Sequence, residues 1–293
     1  MKARRYLGNP ILLPKRENEW ESRFVFNPAA LYANGLFHLL YRAVGGDGIS
    51  RMGYGVSKDG YNFLRFDKPV FTPRGRLESK GCEDPRVVNL DNKFYMTYTA
   101  YSHEGTRIGL SSTSNFIEWR RYGVILPELP NKDAVLFPEK IKGRYALFHR
   151  RMDIKPLSIW IAYSDDLLNW SDHKKVMSPQ EGDWDSVAIG AGAPPIKTEK
   201  GWMLIYHGVD REGSYSLGVA LFDLIDPSLL LFRSKDPILE PEEDYELRGE
   251  RNQVVFACGV CEFEGRYYIY YGAADKVIGV ATLDKDELFQ VIR

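Results

Sequence analysis

The stretch G-C-E-D-P-R-V-V, Gly81 to Val88, sets two adjacent carboxylates, Glu83 and Asp84, before a Pro-Arg pair and a β-branched run. Asp-Pro is ordinary turn chemistry, so one reading is a strand entry. The other is a catalytic acid held at a strand mouth, with Arg86 beside it. Inverting cleavage of a glycoside uses two carboxylates, one to protonate the leaving oxygen and one to activate water. An anionic nucleophile such as phosphate removes the need for the second carboxylate. Cations must then position that nucleophile and screen it from the acid. Whether such cations exist near Asp84 depends on the elements that carry them.

Those elements repeat. An aromatic-rich strand recurs as F-H-L-L-Y-R-A from Phe37, F-Y-M-T-Y-T-A from Phe94, Y-A-L-F-H-R-R from Tyr145, W-M-L-I-Y-H-G from Trp202 and Y-Y-I-Y-Y-G-A from Tyr267. Upstream of each lies a second short strand, proline-marked in four of five copies. Between the two come turn residues such as A-N-G, D-N-K, I-K-G-R and E-G-R, where Asn and Gly accept positive φ. A third strand follows (M-G-Y-G-V-S, I-G-L-S-S-T, I-W-I-A-Y-S, L-G-V-A-L-F, I-G-V-A-T). In the first three copies a fourth ends at Pro73, Pro127 or Pro179. Four short antiparallel strands per unit, five units in all, predict an all-β five-bladed propeller occupying residues 1–293 as a single domain. The period-2 patterning excludes a helical solenoid.

In a propeller, equivalent positions of the units converge on one axis. The residue after the fifth position of the aromatic strand is Arg42, Thr99, Arg150, His207 and Gly272. Two arginines and a histidine in phase point to an anion site, because the planar guanidinium fork suits phosphate or carboxylate and histidine adds a switchable donor. Arg51 and Arg151 lie close enough in sequence to contribute. The alternative is that these arginines pair with carboxylates of the sheets. Aligned on proline, the residues at the mouths of the first strands are Asn27, Asp84, Phe137 and Ala193. On this alignment only the second unit offers a carboxylate. G-A-G-A-P-P at Gly190–Pro195 lacks the Lys-Ser/Thr of a phosphate loop and reads as a tight crossing.

The chain has 39 basic and 40 acidic residues. That balance argues against a nucleic-acid or anionic-membrane partner. Asn9, Pro10 and Pro14 interrupt the N-terminal stretch, so no secretory signal is expected. No apolar run has the length of a membrane helix. Cys258 and Cys261 form a C-x-x-C without a second ligand pair and read as buried, reduced thiols rather than a zinc site. The cytoplasm is the expected location.

Together, F-N-P-A at Phe26–Ala29, E-D-P-R at Glu83–Arg86, F-H-R-R at Phe148–Arg151, I-W-I-A-Y-S-D-D-L-L-N-W at Ile159–Trp170, I-G-A-G-A-P-P-I at Ile189–Ile196, I-Y-H-G-V at Ile205–Val209 and Y-Y-G-A-A-D-K-V-I-G-V-A-T at Tyr270–Thr282 resemble glycoside hydrolase family 130, the β-mannoside phosphorylases and mannosidases. The resemblance spans nearly the whole chain. It implies a five-bladed propeller that converts a β-mannoside and inorganic phosphate into α-mannose 1-phosphate with inversion. It makes Asp84 the general acid, its proton reaching the glycosidic oxygen through a hydroxyl of the bound mannose. Arg150 and His207 become phosphate ligands, with Arg42 or Arg151 beside them. Arg51, Asn27 and Asp275 become mannose-subsite residues, and Glu83 and Arg86 of E-D-P-R join them in binding substrate beside the acid. One departure stands out: the family pattern often has Lys or Arg before I-G-A-G, and here that residue is Ala188. Arg151, Arg248 or Arg251 are the candidates to replace it. The expected activity is β-mannoside phosphorolysis, with phosphate as co-substrate, no cofactor, no metal, and compatibility with a homo-oligomer. The alternatives are an inverting β-mannosidase using Glu246, Glu250 or Asp210 as base, and a non-catalytic propeller that binds glycan or protein.

Overall fold

The computed structural model describes residues 1–291. The expected strands form all-β architecture in four sheets. Phe24–Ala33, Leu36–Val44, Ser50–Ser57 and Leu64–Arg65 make the first unit. Gly81–Leu90, Lys93–Ser102, Gly105–Thr113 and Arg120–Val124 make the second, and one parallel pair, Ser50 with Gly81, joins the two into a single sheet. Asn131–Leu136, Tyr145–Arg151, Ile159–Ser164 and Ser171–Met177 form the third unit. The fourth contains Ala188–Ala191 and Ile196–Thr198, both paired with Gly201–Val209, then Tyr215–Phe222 and Leu230–Arg233. In the fifth, Val255–Phe263, Arg266–Ala273 and Val277–Asp284 are completed by Arg4–Arg5, which pairs with Val277–Asp284. That N-terminal contribution to the last sheet carries no sequence signal, because a two-residue strand has no periodicity.

The turns follow their residue types. Asn34 and Gly35 have φ of 51° and 77°, and Asp91 and Asn92 have φ of 52° and 58°, the positive values that a tight hairpin needs. The S/T-x-D/N motifs close the bends into the outer strands. Asp59 Oδ1, for example, accepts the amides of Tyr61 at 2.9 Å and Asn62 at 2.8 Å. Apolar faces of neighbouring sheets form the core. Phe137, Phe148, Trp202 and Phe222 are all buried between the third and fourth units. Each such side chain contributes about 1.5–3 kcal/mol. Val255–Phe263 packs on Phe24–Ala33 and Gly81–Leu90, and Asn131–Leu136 packs on Gly81–Leu90 and Ala188–Ala191, so the first strands of the units gather in the middle.

A polar clasp recurs around this core. The fifth-position tyrosines donate to buried carboxylates: Tyr41 to Glu21 at 2.8 Å, Tyr98 to Glu78 at 2.5 Å, Tyr206 to Asp185 at 2.8 Å and Tyr271 to Glu246 at 2.8 Å. Each carboxylate also holds an arginine of the outer strand: Arg65, Arg121, Arg233 and Arg5 respectively. The residue opposite each tyrosine is Gly53, Gly109, Gly218 or Gly279. A Cβ at any of the four would lie 2.2–2.8 Å from atoms of that tyrosine ring. The glycines of M-G-Y, I-G-L, L-G-V and I-G-V are therefore the space in which the rings lie. In the third unit the tyrosine is His149 and the glycine is Trp160.

Candidate active site

Val255–Phe263 has a register shift at Ala257/Gly259, and three other first strands carry a bulge, at Phe26/Ala29, Glu83/Arg86 and Lys132/Val135. In each bulge one residue is left-handed: Asn27 at φ 47°, Asp84 at 51° and Asp133 at 54°. Among residues with a side chain, Asn and Asp tolerate this conformation best, and a bulge redirects the side chain it contains. Pro28 and Pro85 thus lie within ten-residue strands, at the bulge rather than at a strand entry. Pro138 lies beyond the end of Asn131–Leu136, so the proline alignment that selected Phe137 is corrected to Asp133. A carboxylate therefore stands at this position in two units. The signal was present in the sequence as N-P-A-A, D-P-R-V and D-A-V-L.

Asp84 is 5% exposed. Its Oδ1 accepts from Asn27 Nδ2 at 2.8 Å and Arg42 at 3.2 Å. Burial alone would raise its pKa, but Arg42, Lys132 and Arg86, with the Asn27 amide, hold the carboxyl below the usual range. Arg42 also donates to Glu83 Oε1 at 2.6 Å and to Ser50 at 3.0 Å, and it lies over the Phe26 ring. Lys132 is 3.7 Å from the other oxygen of Glu83. Arg42 is thus engaged by the acid pair, as the carboxylate-pairing alternative anticipates.

Behind the acid lies a second ionic cluster. Asp133 meets Arg86 at 2.9 Å through Oδ1 and Arg150 at 2.9 Å through Oδ2, with His207 Nε2 at 3.4 Å. These cations outweigh the effect of burial and hold Asp133 far below the ordinary carboxylate range. Arg86 spends its remaining donors on the carbonyls of Asp84, Gly192 and Ala191 and is 2% exposed. It braces the bulges and lines neither the cavity in front of these clusters nor the groove adjoining it. His207 is fully buried against Phe256, with its pKa lowered chiefly by burial, and its Nε2 lies 3.1 Å from Arg150. A Cβ on Gly190 would lie 2.5 Å from Asp133 and 2.6 Å from His207, so I-G-A-G supplies the gap this cluster needs.

A cavity of about 110 Å³ lies in front of these clusters, with Asn27, Asp84 and Asp275 facing Lys132, Arg150 and Arg251. Arg150 Nε is buried without a partner, and Arg251 lies over the Tyr215 ring. Asp275 is half-buried and its pKa is raised to about 6: burial and the charges of Asp84 and Glu83 outweigh Arg42 and Arg251. A wider groove of about 520 Å³ adjoins the cavity, sharing Arg42 and Asp275 and running past Phe24, Tyr101, His103 and Glu250.

Other expected residues lie elsewhere. Arg51 is held by Asp47 at 2.6 Å and lines neither space. Arg151 is bound to Asp153 at 2.6 Å and lies over Trp160, away from the cavity. Ala188 does not line the cavity, whose cations include Lys132, which sequence reasoning overlooked, and Arg251. Of the proposed water-activating bases, Glu246 is buried in the Tyr271–Arg5 clasp, and Asp210 holds the Ser214 amide of a turn. Glu250 alone of the three reaches the groove. The three cysteines are free and buried.

The family model described as β-1,4-mannooligosaccharide phosphorylase matches residues 4–293. A 1,2-β-oligomannan phosphorylase of Thermoanaerobacter sp. (strain X514) is 50% identical over 98% of this chain and 99% of that protein. A β-1,2-mannobiose phosphorylase of the same strain is 48% identical over 97% and 98% respectively. The solved β-1,2-mannobiose phosphorylase of Listeria innocua, in complex with β-1,2-mannobiose, superposes with a TM-score of 0.92 at 31% identity, covering 100% of this chain and 99% of that one. With bulged strands that bring an acid and a cation cluster to one cavity, and a family match along nearly its full length, the chain belongs to glycoside hydrolase family 130.

Proposed function

We propose that this chain is an inverting phosphorylase of β-1,2-linked mannosides, built on a single five-bladed propeller. The observation that carries the reading is the cavity itself, where Lys132, Arg150 and Arg251 face the buried acid Asp84. The unpartnered Arg150 Nε supports an anion there, and charge-assisted hydrogen bonds contribute about 1.5–3 kcal/mol each. The β-1,2 linkage is supported by the names of the two relatives near 50% identity. The five-unit repeat and the gathered first strands support the propeller, with Arg4–Arg5 completing the last blade.

Phosphate in this seat is the nucleophile and attacks C1 of the mannosyl unit. Asp84 delivers its proton to the glycosidic oxygen through a sugar hydroxyl, and the C1–O bond breaks with inversion. The phosphate's own proton then replaces the one Asp84 has given up. By themselves Arg42, Lys132 and Arg86 keep Asp84 ionised. A bound dianion offsets Lys132 and Arg150, so phosphate prepares the acid as well as attacking. Asn27 holds Asp84, Arg86 and His207 position Asp133 and Arg150, and Asp275 faces the sugar. The free thiols fit the inside of a cell.

Incubation with β-1,2-mannobiose, with and without inorganic phosphate, tests the reading. The expected result is phosphate-dependent release of α-mannose 1-phosphate. Cleavage at the same rate without phosphate would establish the hydrolase instead.

A further inference from the structure

Four units hold their second strand with a tyrosine, a buried carboxylate and an arginine; the third has the same frame and different chemistry. His149 takes the tyrosine position and Trp160 the position opposite. His173 stands on the outer strand, near the place where the other units carry arginine, across an irregularity between Ile161 and Tyr163. Among the described residues no acid forms an ion pair with either histidine, and Glu128 of the entering segment is exposed, lining a small cavity beside His173. A chain of uncharged groups replaces the clasp. His149 Nδ1 meets the Asn131 amide at 3.0–3.1 Å, and its Nε2 meets Nδ1 of His173 at 3.1 Å.

This chain backs directly onto the cations of the cavity. Asn131 precedes Lys132, His149 precedes Arg150, and Lys132 pairs with Arg150 across the two strands. Successive strand residues point to opposite faces, so one face carries the cations and the other the histidine chain. We propose that His149 and His173 are positioning residues for the phosphate seat, fixing the spacing of Lys132 and Arg150 through Asn131. The inference rests on the phosphorolysis reading. Uncharged groups do this without placing a further carboxylate behind the cations, which already meet Asp133, Glu83 and Asp84.

The arrangement also responds to acid. Burial lowers the pKa of both histidines, His149 to about 3. The charged groups around them are Arg151, which lowers both further and is bound to Asp153; Asp172, bound to Arg144; and the exposed Glu128. Protonation would remove an acceptor from the chain and set two cations beside Arg151.

The test is calorimetric binding of inorganic phosphate to the whole chain, with rates measured alongside. His149→Leu is expected to weaken phosphate binding at least tenfold at pH 7, with the KM for the mannoside within threefold of wild type. His149→Gln, which can still bond to Asn131, is expected to restore binding to within threefold. Between pH 6 and 4, where the lowered histidines begin to take up protons, wild-type affinity should fall more steeply than that of the His149→Gln, His173→Gln double variant, since the titration of phosphate itself is common to both. Unchanged phosphate affinity in His149→Leu would overturn the inference alone. So would parallel pH slopes, or phosphate and mannoside affinities lost together. A wild-type protein that binds no phosphate would overturn the phosphorolysis reading with it. If His149→Leu does not fold, the pH comparison with the double variant decides.

Discussion

At the scale of single residues, two aspartates in equivalent bulges do different work. Asp84 faces the cavity and is held by Asn27 and Arg42. Asp133 is 1% exposed and joins Arg86 to Arg150. Asp84→Asn should lower the rate by roughly 10²–10⁴-fold, the range for loss of a general acid, with a smaller loss of stability than at Asp133 because Arg42 keeps its bond to Glu83. Asp133→Asn leaves two arginines uncompensated and should cost about 3–5 kcal/mol of stability. The pH dependence follows the sign of the shift. The folded pKa of Asp133 is depressed, so its stabilising effect is complete above the unfolded value of 3.8 and is lost as pH falls below it. Asp133→Asn should therefore flatten the acid limb of the stability profile below about pH 4. Denaturant melts of both variants across pH check this. Equal loss of stability at the two positions would show that the division of roles is wrong.

At the scale of the element, four of the five units close on a tyrosine ring laid over a glycine. Gly109→Ala puts a Cβ 2.2 Å from the Tyr98 ring, which Glu78 and Arg121 hold in place. Overpacking of this kind should cost about 1–3 kcal/mol. Urea unfolding measures it, and a cost below about 0.5 kcal/mol, ordinary for a surface change, would mean that the ring moves aside. The repeat was legible because these glycines, the aromatic strand and the hairpin turns recur in phase. The carboxylates of the clasp were less so: Glu21, Glu78 and Asp185 each stand three residues before the first strand of their unit and Glu246 nine before, on short helical or turn segments that share no strand periodicity.

At the scale of the whole molecule, the chain ends meet in the fifth unit. Arg4–Arg5 supplies its outer strand, and Arg5 holds the fully buried Glu246 at 2.9 Å. Arg5→Met should cost about 3 kcal/mol, because it leaves a buried carboxylate without its cation. Adding Glu246→Leu should recover most of that loss. Thermal melts of the single and double variants test the link. Additive destabilisation would mean that the two ends are not coupled through this pair.

The sequence by itself determined the repeat, the strand order, the hairpin turns and the family. All of these rest on local residue types recurring at fixed offsets. It also singled out Asp84 and Arg150, whose motif and phase are local properties. Only the tertiary structure decided which charges face the cavity and which face one another. It gave Arg42 to the acid pair, Arg86 and His207 to the layer behind, and Arg51 and Arg151 to neighbouring aspartates. It also brought Lys132 and Arg251 to the cavity. A one-residue bulge turns a side chain to the other face of a strand, and ion pairing selects partners far apart in sequence, so neither follows from spacing alone.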